Sequence, residues 1–352
     1  MSNHGDNPIA DQPVIGVTMG DPAGIGPEVV IKALADPVVR KAARFVIFGM
    51  HETLCYATDA AELEPFWGRH QHEKLRRDYP CKVVVADYDE YSIPPWIRRP
   101  SKPGGEASLR FCLDAIEAAR EGLIDAVVTA PISKTSWKLA GGEWPGHTEM
   151  LAARCKSKRK VMMFVAEPLR IALATIHEAL FEVRHKFTIG CVFEPIDLLN
   201  DALKEYFDIE KPQIGVAALN PHAGEGGQFG DEEERIITPA IMLAHEQGID
   251  CRGPFPADSI FPRAAAGEFD GVVAMYHDQA MIPVKLIAQA RAVNVTIGIP
   301  IIRTSPAHGT AFDIAGRNCA DPSSMKAALL TAINMAKTKR ARQLVNSNNT
   351  GQ

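Results

Sequence analysis

The sequence predicts an α/β protein whose sheets are mainly parallel or mixed. Short β-branched and apolar runs alternate with longer segments of helical period along the whole chain. The first such pair is Val14–Met19 followed, after a turn rich in glycine and proline, by Pro27–Leu34. With 352 residues, 46% of them hydrophobic, the chain is long enough to build two domains with large cores.

This alternation predicts nine strands and five helices. The predicted strands are Val14–Met19, Phe45–Phe48, Lys82–Val85, Ala126–Thr129, Val161–Val165, Ile171–Thr175, Ile214–Ala218, Gly271–Met275 and Asn294–Gly298. The predicted helices are Pro27–Leu34, Ser108–Glu121, Pro195–Tyr206, Glu232–Gln247 and Ser323–Lys339. Pro94–Gly105 is predicted to be irregular, because proline and glycine dominate it.

Charge and composition exclude several classes of function. The net charge is -5, and the basic clusters Lys156–Lys160 and Lys337–Arg342 are too short for a nucleic-acid-binding face. No apolar run approaches the ~20 residues that cross a bilayer, and residues 1–13 lack the apolar core of a signal peptide. The seven cysteines are far apart, without CxxC spacing, which indicates neither a disulfide framework nor a thiolate zinc site. We therefore expect a cytoplasmic protein with no nucleic-acid or membrane partner.

Three predicted strands each run directly into a histidine. IALATI leads into His177, GVAALNP into His222 and GVVAMY into His277. In open α/β sheets ligands bind beyond the carboxyl ends of the strands, where the loops converge. Three neutral imidazoles without a cysteine suit a divalent cation that keeps open positions for substrate. A single histidine of this kind is usually structural, but three in equivalent positions favour a metal site.

Two segments around these histidines carry further signals. Leu219–Asp231 concentrates turn-forming residues around His222, which is costly in backbone entropy unless special dihedral angles are required. Asp278 directly follows His277, where its carboxylate would orient the imidazole or accept a proton. The alternative for Asp278 is a capping residue in a simple loop.

A second group of residues supplies donors for a phosphate or carboxylate. Arginine binds such an anion through two parallel hydrogen bonds, whereas lysine acts as a point charge. Taken singly, each of these side chains would be an ordinary surface group or cap. The group consists of His147, Thr148, Lys285, Asn294 and Arg303.

The turn Gly20–Glu28, GDPAGIGPE, joins the first strand to the first helix. Pro27 suits the first helical turn. The segment is neither a GxGxxG fingerprint nor a P-loop, so its spacing alone leaves a structural turn and a ligand-binding turn equally open.

Taken together, MGDPAGIGPE, PGHTE, LNPHAGEGG, PADSIF, AMYHDQ, the pair Lys285 and Asn294, and RTSPAHGTAFDIAGR resemble the ordered motifs of the 4-hydroxythreonine-4-phosphate dehydrogenase family. The resemblance extends over residues 14–317. It implies that His177 and His222 of one subunit and His277 of its dimer partner bind Zn, Mg or Co. It likewise implies that the five anion-binding candidates above bind substrate, with Lys285 also catalytic.

The segment His308–Gly316 is similar to the adenosine loop of isopropylmalate dehydrogenases, whose fold this family shares. The resemblance implies that His308, Gly309, Thr310 and Asp313 bind the cofactor, with Asp313 on the adenine ribose. A carboxylate at that place would repel a 2′-phosphate, which favours NAD over NADP. Phe312 departs from the proline of the related loop, which leaves the detailed shape of this loop open.

The implied fold has two domains, residues 13–135 with 304–345 on the nucleotide side and residues 136–303 on the metal, substrate and dimer side, with the active site in the cleft between them. The implied reaction is metal- and NAD-dependent oxidation of 4-phosphohydroxy-L-threonine in vitamin B6 synthesis, followed by loss of carbon dioxide. Asp258 and Asp278 are equal candidates for the proton acceptor.

Three alternative functions are also compatible with the sequence. Sister enzymes oxidise 4-phosphorylated threonate or erythronate, or aromatic cis-dihydrodiols, with similar motifs. A metal-dependent hydrolase or lyase would need no nucleotide, and the HGTAFDIAG segment argues against it. A non-catalytic binding module would need no histidine triad.

Overall fold

The structure is a computed structural model that describes residues 12–94 and 96–349. Residues 1–13, which were predicted to lack a signal peptide, lie almost wholly outside the described residues. The chain divides into two compact units, one ending at Lys156 and resuming over Pro300–Lys337, the other formed by Ser157–Ile299 and the chain from Thr338 onward. Relative to the expected domain limits, residues 136–156 and 300–303 fall in the first unit and residues 338–345 in the second.

Twelve strands are present in the described residues. They are β1 Val14–Thr18, β2 Arg44–Gly49, β3 Gly68–Gln71, β4 Val83–Asp87, β5 Ala126–Thr129, β6 Val161–Ala166, β7 Leu169–Leu173, β8 Ile214–Ala217, β9 Cys251–Phe255, β10 Gly271–Ala274, β11 Val293–Ile297 and β12 Ile302–Pro306. All nine predicted strands appear, with ends shifted by at most two residues.

Helices alternate with these strands. They are α1 Gly26–Ala35, α2 Pro37–Ala42, α3 His51–Ala60, α4 Lys102–Arg120, α5 Lys134–Leu139, α6 His147–Arg154, α7 Leu180–Lys186, α8 Ile189–Phe207, α9 Thr238–Glu246, α10 Ala257–Ala265, α11 His277–Ala288 and α12 Ser323–Asn349. A turn of π-helix, Glu233–Ile237, leads into α9. No helix in the described part of the chain is long and apolar enough to span a membrane.

The first unit is built on a fully parallel sheet in the order β3-β4-β2-β1-β5-β12. Its central strands are buried along their whole length, as expected for a parallel sheet covered on both faces. Because both faces of these strands lie in the core, their sequences are nearly continuous apolar runs, as the predicted strands Val14–Met19, Phe45–Phe48 and Ala126–Thr129 show.

The second unit has a mixed sheet in the order β11-β6-β7-β10-β8-β9. β6 is antiparallel to both β11 and β7, whereas β7, β10, β8 and β9 are parallel to one another. The predicted fold class, α/β with mixed and largely parallel sheets, is confirmed.

Several element boundaries differ from the prediction for identifiable reasons. α4 begins at Lys102, inside the stretch predicted to be irregular, because the hydroxyl of Ser101 accepts a hydrogen bond from the Gly104 amide and caps the helix. α8 begins at Ile189 and includes Pro195 in its interior. β3 and β9 were missed because each lies at the edge of a sheet and has the polar or glycine- and proline-containing sequence that edges tolerate.

Candidate active site

The second unit places three histidines at one edge of its sheet. β7, β10 and β8 are parallel neighbours, so their carboxyl ends meet at the same edge. His177 follows β7, His277 is the first residue of α11 after β10, and His222 lies in the segment after β8. The ring centroids of His177 and His277 are 5.9 Å apart.

Buried polar side chains tie these strand ends together. The Thr175 hydroxyl donates to the Met275 carbonyl at 2.7 Å, which joins the end of β7 to the end of β10. The buried Gln279 amide accepts from the Met275 amide at 2.6 Å and donates to the Ala218 carbonyl at 2.8 Å. Gln279 therefore links the ends of β10 and β8. The sequence did not reveal its role, because only the tertiary structure brings Ala218 within reach.

His277 is already oriented by its neighbour. Its Nδ1 lies 2.8 Å from Asp278 Oδ1. A carboxylate at this place can accept a hydrogen bond from Nδ1–H, which is the arrangement that leaves the Nε2 lone pair available to a metal ion. Two imidazoles on one zinc ion place their ring centroids on the order of 5–6 Å apart, given Zn–N distances of about 2.0–2.1 Å. The donor chemistry and spacing of His177 and His277 thus fit a shared divalent cation.

His222 stands in a different position from the other two histidines. In the described residues, no group of three or more His, Cys, Asp or Glu side chains is arranged to hold a metal ion. Within the part of the chain that the structure describes, His177 and His277 therefore lie close together without a third His, Cys, Asp or Glu placed to share a metal ion with them. The resemblance pairs His177 with His222 in one subunit, and this assignment of ligands to subunits stays a prediction.

Three other predicted site residues of this unit differ in their exposure to solvent. Asp258 is exposed in the first turn of α10, the helix that packs against Pro221–Glu225. Lys285 is exposed on α11. Asn294, on β11, has a buried side-chain oxygen without a hydrogen-bond partner, a group that a ligand's donor would satisfy.

The first unit builds its own site where the loops after β1 and β5 meet. Gly20 has a φ of 76°, and a Cβ built on it would lie 2.3 Å from the Pro131 carbonyl oxygen, so only glycine fits. The buried Asp21 carboxylate accepts from the Ser136 hydroxyl at 2.7 Å and from the Ala23 amide at 3.0 Å. Burial raises the pKa of Asp21, and the two hydrogen bonds oppose that rise.

Arg303 is a buried cation on β12. Its Nη2 and Nε donate to Thr129 Oγ1 at 2.7 and 3.2 Å, respectively. Burial lowers the pKa of Arg303 to about 10, so the guanidinium remains charged at neutral pH. A buried, oriented guanidinium is suited to a phosphate or carboxylate.

His147 and Thr148 begin α6, whose N-cap residue, Gly146, makes no side-chain cap. His147 Nε2 is buried without a hydrogen-bond partner. Burial, followed by the charges of Arg303 and Lys134, lowers the pKa of His147 well below its ordinary value. An open helix N-terminus beside positive charge favours an anion. Sequence reasoning missed Lys134, although it follows strand β5 just as the histidines follow theirs.

The predicted nucleotide loop is held against the turn Gly20–Glu28. The Ile25 amide donates to the Thr310 carbonyl at 2.9 Å, and a Cβ on Gly24 would lie 2.9 Å from that oxygen. His308 has Nδ1 3.1 Å from the Gly309 carbonyl oxygen, while its Nε2 is buried without a partner. Asp313 is exposed.

A mainly apolar pocket of about 250 Å³ lies beside this loop. Its lining includes Gly24, Glu28, Tyr56, Arg98 and Gly316. Its volume is below the roughly 300–1,000 Å³ of sites for whole drug-sized ligands, so it can hold only part of such a ligand. Residues of the Gly20–Glu28 turn thus line a pocket. Their spacing in the sequence did not decide between a structural turn and a ligand-binding turn, and this position is compatible with ligand binding.

Comparison with known proteins places the chain among dehydrogenases. Residues 41–332 match the family model described as pyridoxal phosphate biosynthetic protein PdxA. The 4-hydroxythreonine-4-phosphate dehydrogenase of Geobacter metallireducens is 42% identical over 93% of this chain and 97% of its own. The D-threonate 4-phosphate dehydrogenase of Cupriavidus necator is 40% identical over 94% of this chain and 98% of its own.

A solved structure supports the same relationship. The crystal structure of 4-hydroxythreonine-4-phosphate dehydrogenase from Klebsiella pneumoniae aligns with a TM-score of 0.83 and 36% identity. The alignment covers 92% of this chain and 99% of that one. Sequence identity and fold agree over nearly the whole length, so the chain is an oxidoreductase that belongs to the PdxA family of pyridoxal phosphate biosynthetic proteins.

Proposed function

We propose that this protein oxidises 4-phosphohydroxy-L-threonine to 2-amino-3-oxo-4-phosphooxybutanoate with NAD and a divalent metal ion, as a step of pyridoxine 5′-phosphate synthesis. The product is a β-keto acid, which loses carbon dioxide to give 3-amino-2-oxopropyl phosphate. The observation that carries the proposal is the pair His177 and His277, 5.9 Å apart at a sheet edge, in a chain 42% identical to a dehydrogenase of this substrate.

His177, His222 and His277 would hold the metal ion. A bound Zn, Mg or Co ion would lower the pKa of the substrate alcohol, which makes the hydroxyl easier to deprotonate and oxidise. Asp278 holds the His277 ring with Nε2 available, at a His277 Nδ1 to Asp278 Oδ1 distance of 2.8 Å.

His308, Gly309, Thr310 and Asp313 would hold NAD, which accepts the hydride. The loop is anchored by the hydrogen bond between Ile25 and Thr310, and the exposed Asp313 carboxylate is available to accept from both ribose hydroxyls. A 2′-phosphate would meet this negative charge, so we propose NAD rather than NADP.

The substrate's two anionic groups would be bound by Arg303, His147, Thr148, Lys285 and Asn294. Buried Arg303 brings a fixed positive charge, and α6 offers the open backbone amides of its first turn. His147 remains neutral at neutral pH because its pKa is lowered. Its uncharged ring can therefore donate a hydrogen bond from one nitrogen and accept one at the other.

Asp258 and Asp278 are the proposed acceptors for the hydroxyl proton. Asp278 already accepts a hydrogen bond from His277, which assigns it an orienting role. Asp258 is exposed on a helix that packs against the His222 segment, and this favours it as the acceptor. Lys285 is proposed to assist catalysis as well as binding.

A homodimer is proposed to complete the metal site. Phe181 on α7 and Leu286 on α11 are 89% and 76% exposed, and these helices follow His177 and β10, respectively. Large exposed apolar side chains close to an incomplete site favour burial against a second copy of the chain. Phe181→Glu combined with Leu286→Glu should yield monomers by light scattering, whereas Met242→Glu, at an exposed residue of α9, should leave the dimer intact.

The cysteines support a reducing compartment for this enzyme. All seven lie in the described residues and carry free thiols. Stable free thiols are typical of the cytoplasm, which is the location we propose.

The direct test is NADH formation at 340 nm with 4-phosphohydroxy-L-threonine, D-threonate 4-phosphate and an aromatic cis-dihydrodiol, each with and without a chelator. Chelator-sensitive turnover of the first compound alone is expected. Turnover of D-threonate 4-phosphate alone would support the second candidate, which the 40% identity to a dehydrogenase of that substrate favours. Turnover of none of them would contradict the proposed substrate and point to another alcohol as the substrate of this oxidoreductase.

A further inference from the structure

The segment that carries His222 has an unusual backbone. Every residue from His222 to Gly227 has positive φ, with values of 53°, 54°, 79°, 45°, 62° and 92° in order. Three of these residues, His222, Ala223 and Glu225, are not glycine. Such a conformation is unfavourable for a residue with a side chain and persists only where the surrounding structure imposes it. Some contact outside the segment must therefore hold it.

Glu233 provides that contact. It is buried, and its Oε1 accepts from the Leu219 amide at 2.8 Å and the Asn220 amide at 2.7 Å. Its Oε2 accepts from Asn220 Nδ2 at 3.0 Å. One carboxylate thus binds three donors on the two residues that precede Pro221 and His222. Hydrogen bonds to an ionised acceptor are roughly twice as strong as neutral ones.

The same carboxylate also fits closely against the far side of the loop. A Cβ built on Gly224 would lie 2.9 Å from Glu233 Oε2, so the carboxylate occupies the place of a side chain there. Glu233 is itself fixed, because it begins the π-helical turn whose Ile236 and Ile237 are buried. Glu233 therefore contacts the segment on both sides of His222, at Leu219 and Asn220 and at Gly224.

We infer that Glu233 is a positioning residue that sets the place of the His222 imidazole, and this rests on the proposed metal-binding role of His222. Leu219 and Asn220 transmit its effect, since they directly precede the Pro221–His222 unit in the chain. Outer contacts of this kind typically contribute about 10–100-fold to metal affinity. A purely structural cap would change stability and leave metal affinity among folded molecules unaltered.

The test compares Glu233→Gln with Glu234→Gln, which removes the same charge from the neighbouring exposed residue. In Glu233→Gln the introduced side-chain amide would face Asn220 Nδ2, donor against donor. Hydrogen exchange should become faster at the Leu219 and Asn220 amides in Glu233→Gln alone. Co²⁺ titration of the metal-free dimer, followed by calorimetry and by the Co²⁺ d–d absorption, should show about 10–100-fold weaker binding and an altered spectrum in that variant.

Gly224→Ala provides a second approach that leaves the carboxylate in place. Its methyl group would lie 2.9 Å from Glu233 Oε2 and 3.0 Å from the Gly230 carbonyl oxygen, at a φ of 79° that disfavours alanine, and the resulting shift of the loop against Glu233 should weaken Co²⁺ binding. Wild-type Co²⁺ affinity and spectrum in either Glu233→Gln or Gly224→Ala would overturn the inference. Failure of the wild-type protein to bind Co²⁺ would instead contradict the proposed metal-dependent function, which separates the two failures.

Discussion

The two units present their functional groups in opposite ways. In the first unit the charged groups near the end of β1 and on β12 are buried and bonded to the protein, as Asp21 and Arg303 show. In the second unit the groups are accessible: the His277 side chain is 39% exposed and that of Asp278 is 78% exposed. Burial holds a charged side chain in one place, where it can bind a substrate anion. Exposed imidazoles can share a metal ion with a ligand from a second chain. The difference is what the proposed function requires: the first unit would bind the anionic groups of the substrate, and the second would bind a metal ion together with a partner subunit.

The largest effect is expected from His222→Ala in the second unit. Loss of one of three proposed metal ligands should lower metal-dependent kcat by at least about 10³-fold. Size-exclusion chromatography should still show a folded dimer, because His222 lies on a surface loop. Full turnover in this variant would refute the assignment of His222 to the metal.

Arg303→Lys tests the buried charge of the first unit. Lysine keeps the charge but loses the fork that donates twice to Thr129, and hydrogen bonds to charged groups contribute about 1.5–3 kcal/mol each. We expect kcat/KM for the phosphorylated substrate to fall by about 10²-fold, with the KM for NAD changed less than about twofold. Equal losses for both ligands would show that Arg303 acts on the whole unit rather than on the substrate anion.

Asp313→Ala tests the nucleotide loop. Loss of the ribose acceptor should raise the KM for NAD about 10-fold and reduce the preference for NAD over NADP. Steady-state kinetics with both nucleotides measures this, and Glu64→Ala, at another exposed carboxylate in the same unit, is the control. An unchanged cofactor preference would remove Asp313 from the nucleotide site.

The smallest effect concerns the pH dependence of stability. His147 has a lowered pKa in the folded protein, so below its ordinary pKa of 6.5 the unfolded chain binds the proton more readily. Stability should therefore fall as pH drops below about 6.5, by at most about 1.4 kcal/mol per pH unit from this group. His147→Gln should remove that slope in urea unfolding between pH 6.5 and 5. An unaltered slope would mean that the pKa of His147 is not lowered in the folded protein.

The sequence predicted the buried strands well because their two covered faces require continuous apolar runs, as in Ala126–Thr129. It missed β12, whose sequence IRTSP contains a buried arginine and two buried hydroxyl groups. It also missed α11, because Pro283 lies inside it and His277 and Asp278 suggested a ligand loop.

Site prediction from the sequence had a similar limit. Residues that follow the end of a strand, such as His177 and His277, can be found from the sequence because the apolar run before them is visible there. Glu233 bonds to a backbone group 13 positions away in the chain, and Gln279 bonds to one 61 positions away. No local sequence pattern predicts such contacts. Lys134 was within reach of the strand-end rule, since it follows β5 closely.

Subunit complementation tests the central claim, that the metal site of the second unit is completed by a second chain. The inactive variants His222→Ala and His277→Ala would be mixed, unfolded and refolded together. If the third histidine comes from the partner, each heterodimer regains one intact site, and about a quarter of wild-type activity should return in a random mixture. No recovery, with heterodimers confirmed by mass spectrometry, would show that the three histidines act within one chain.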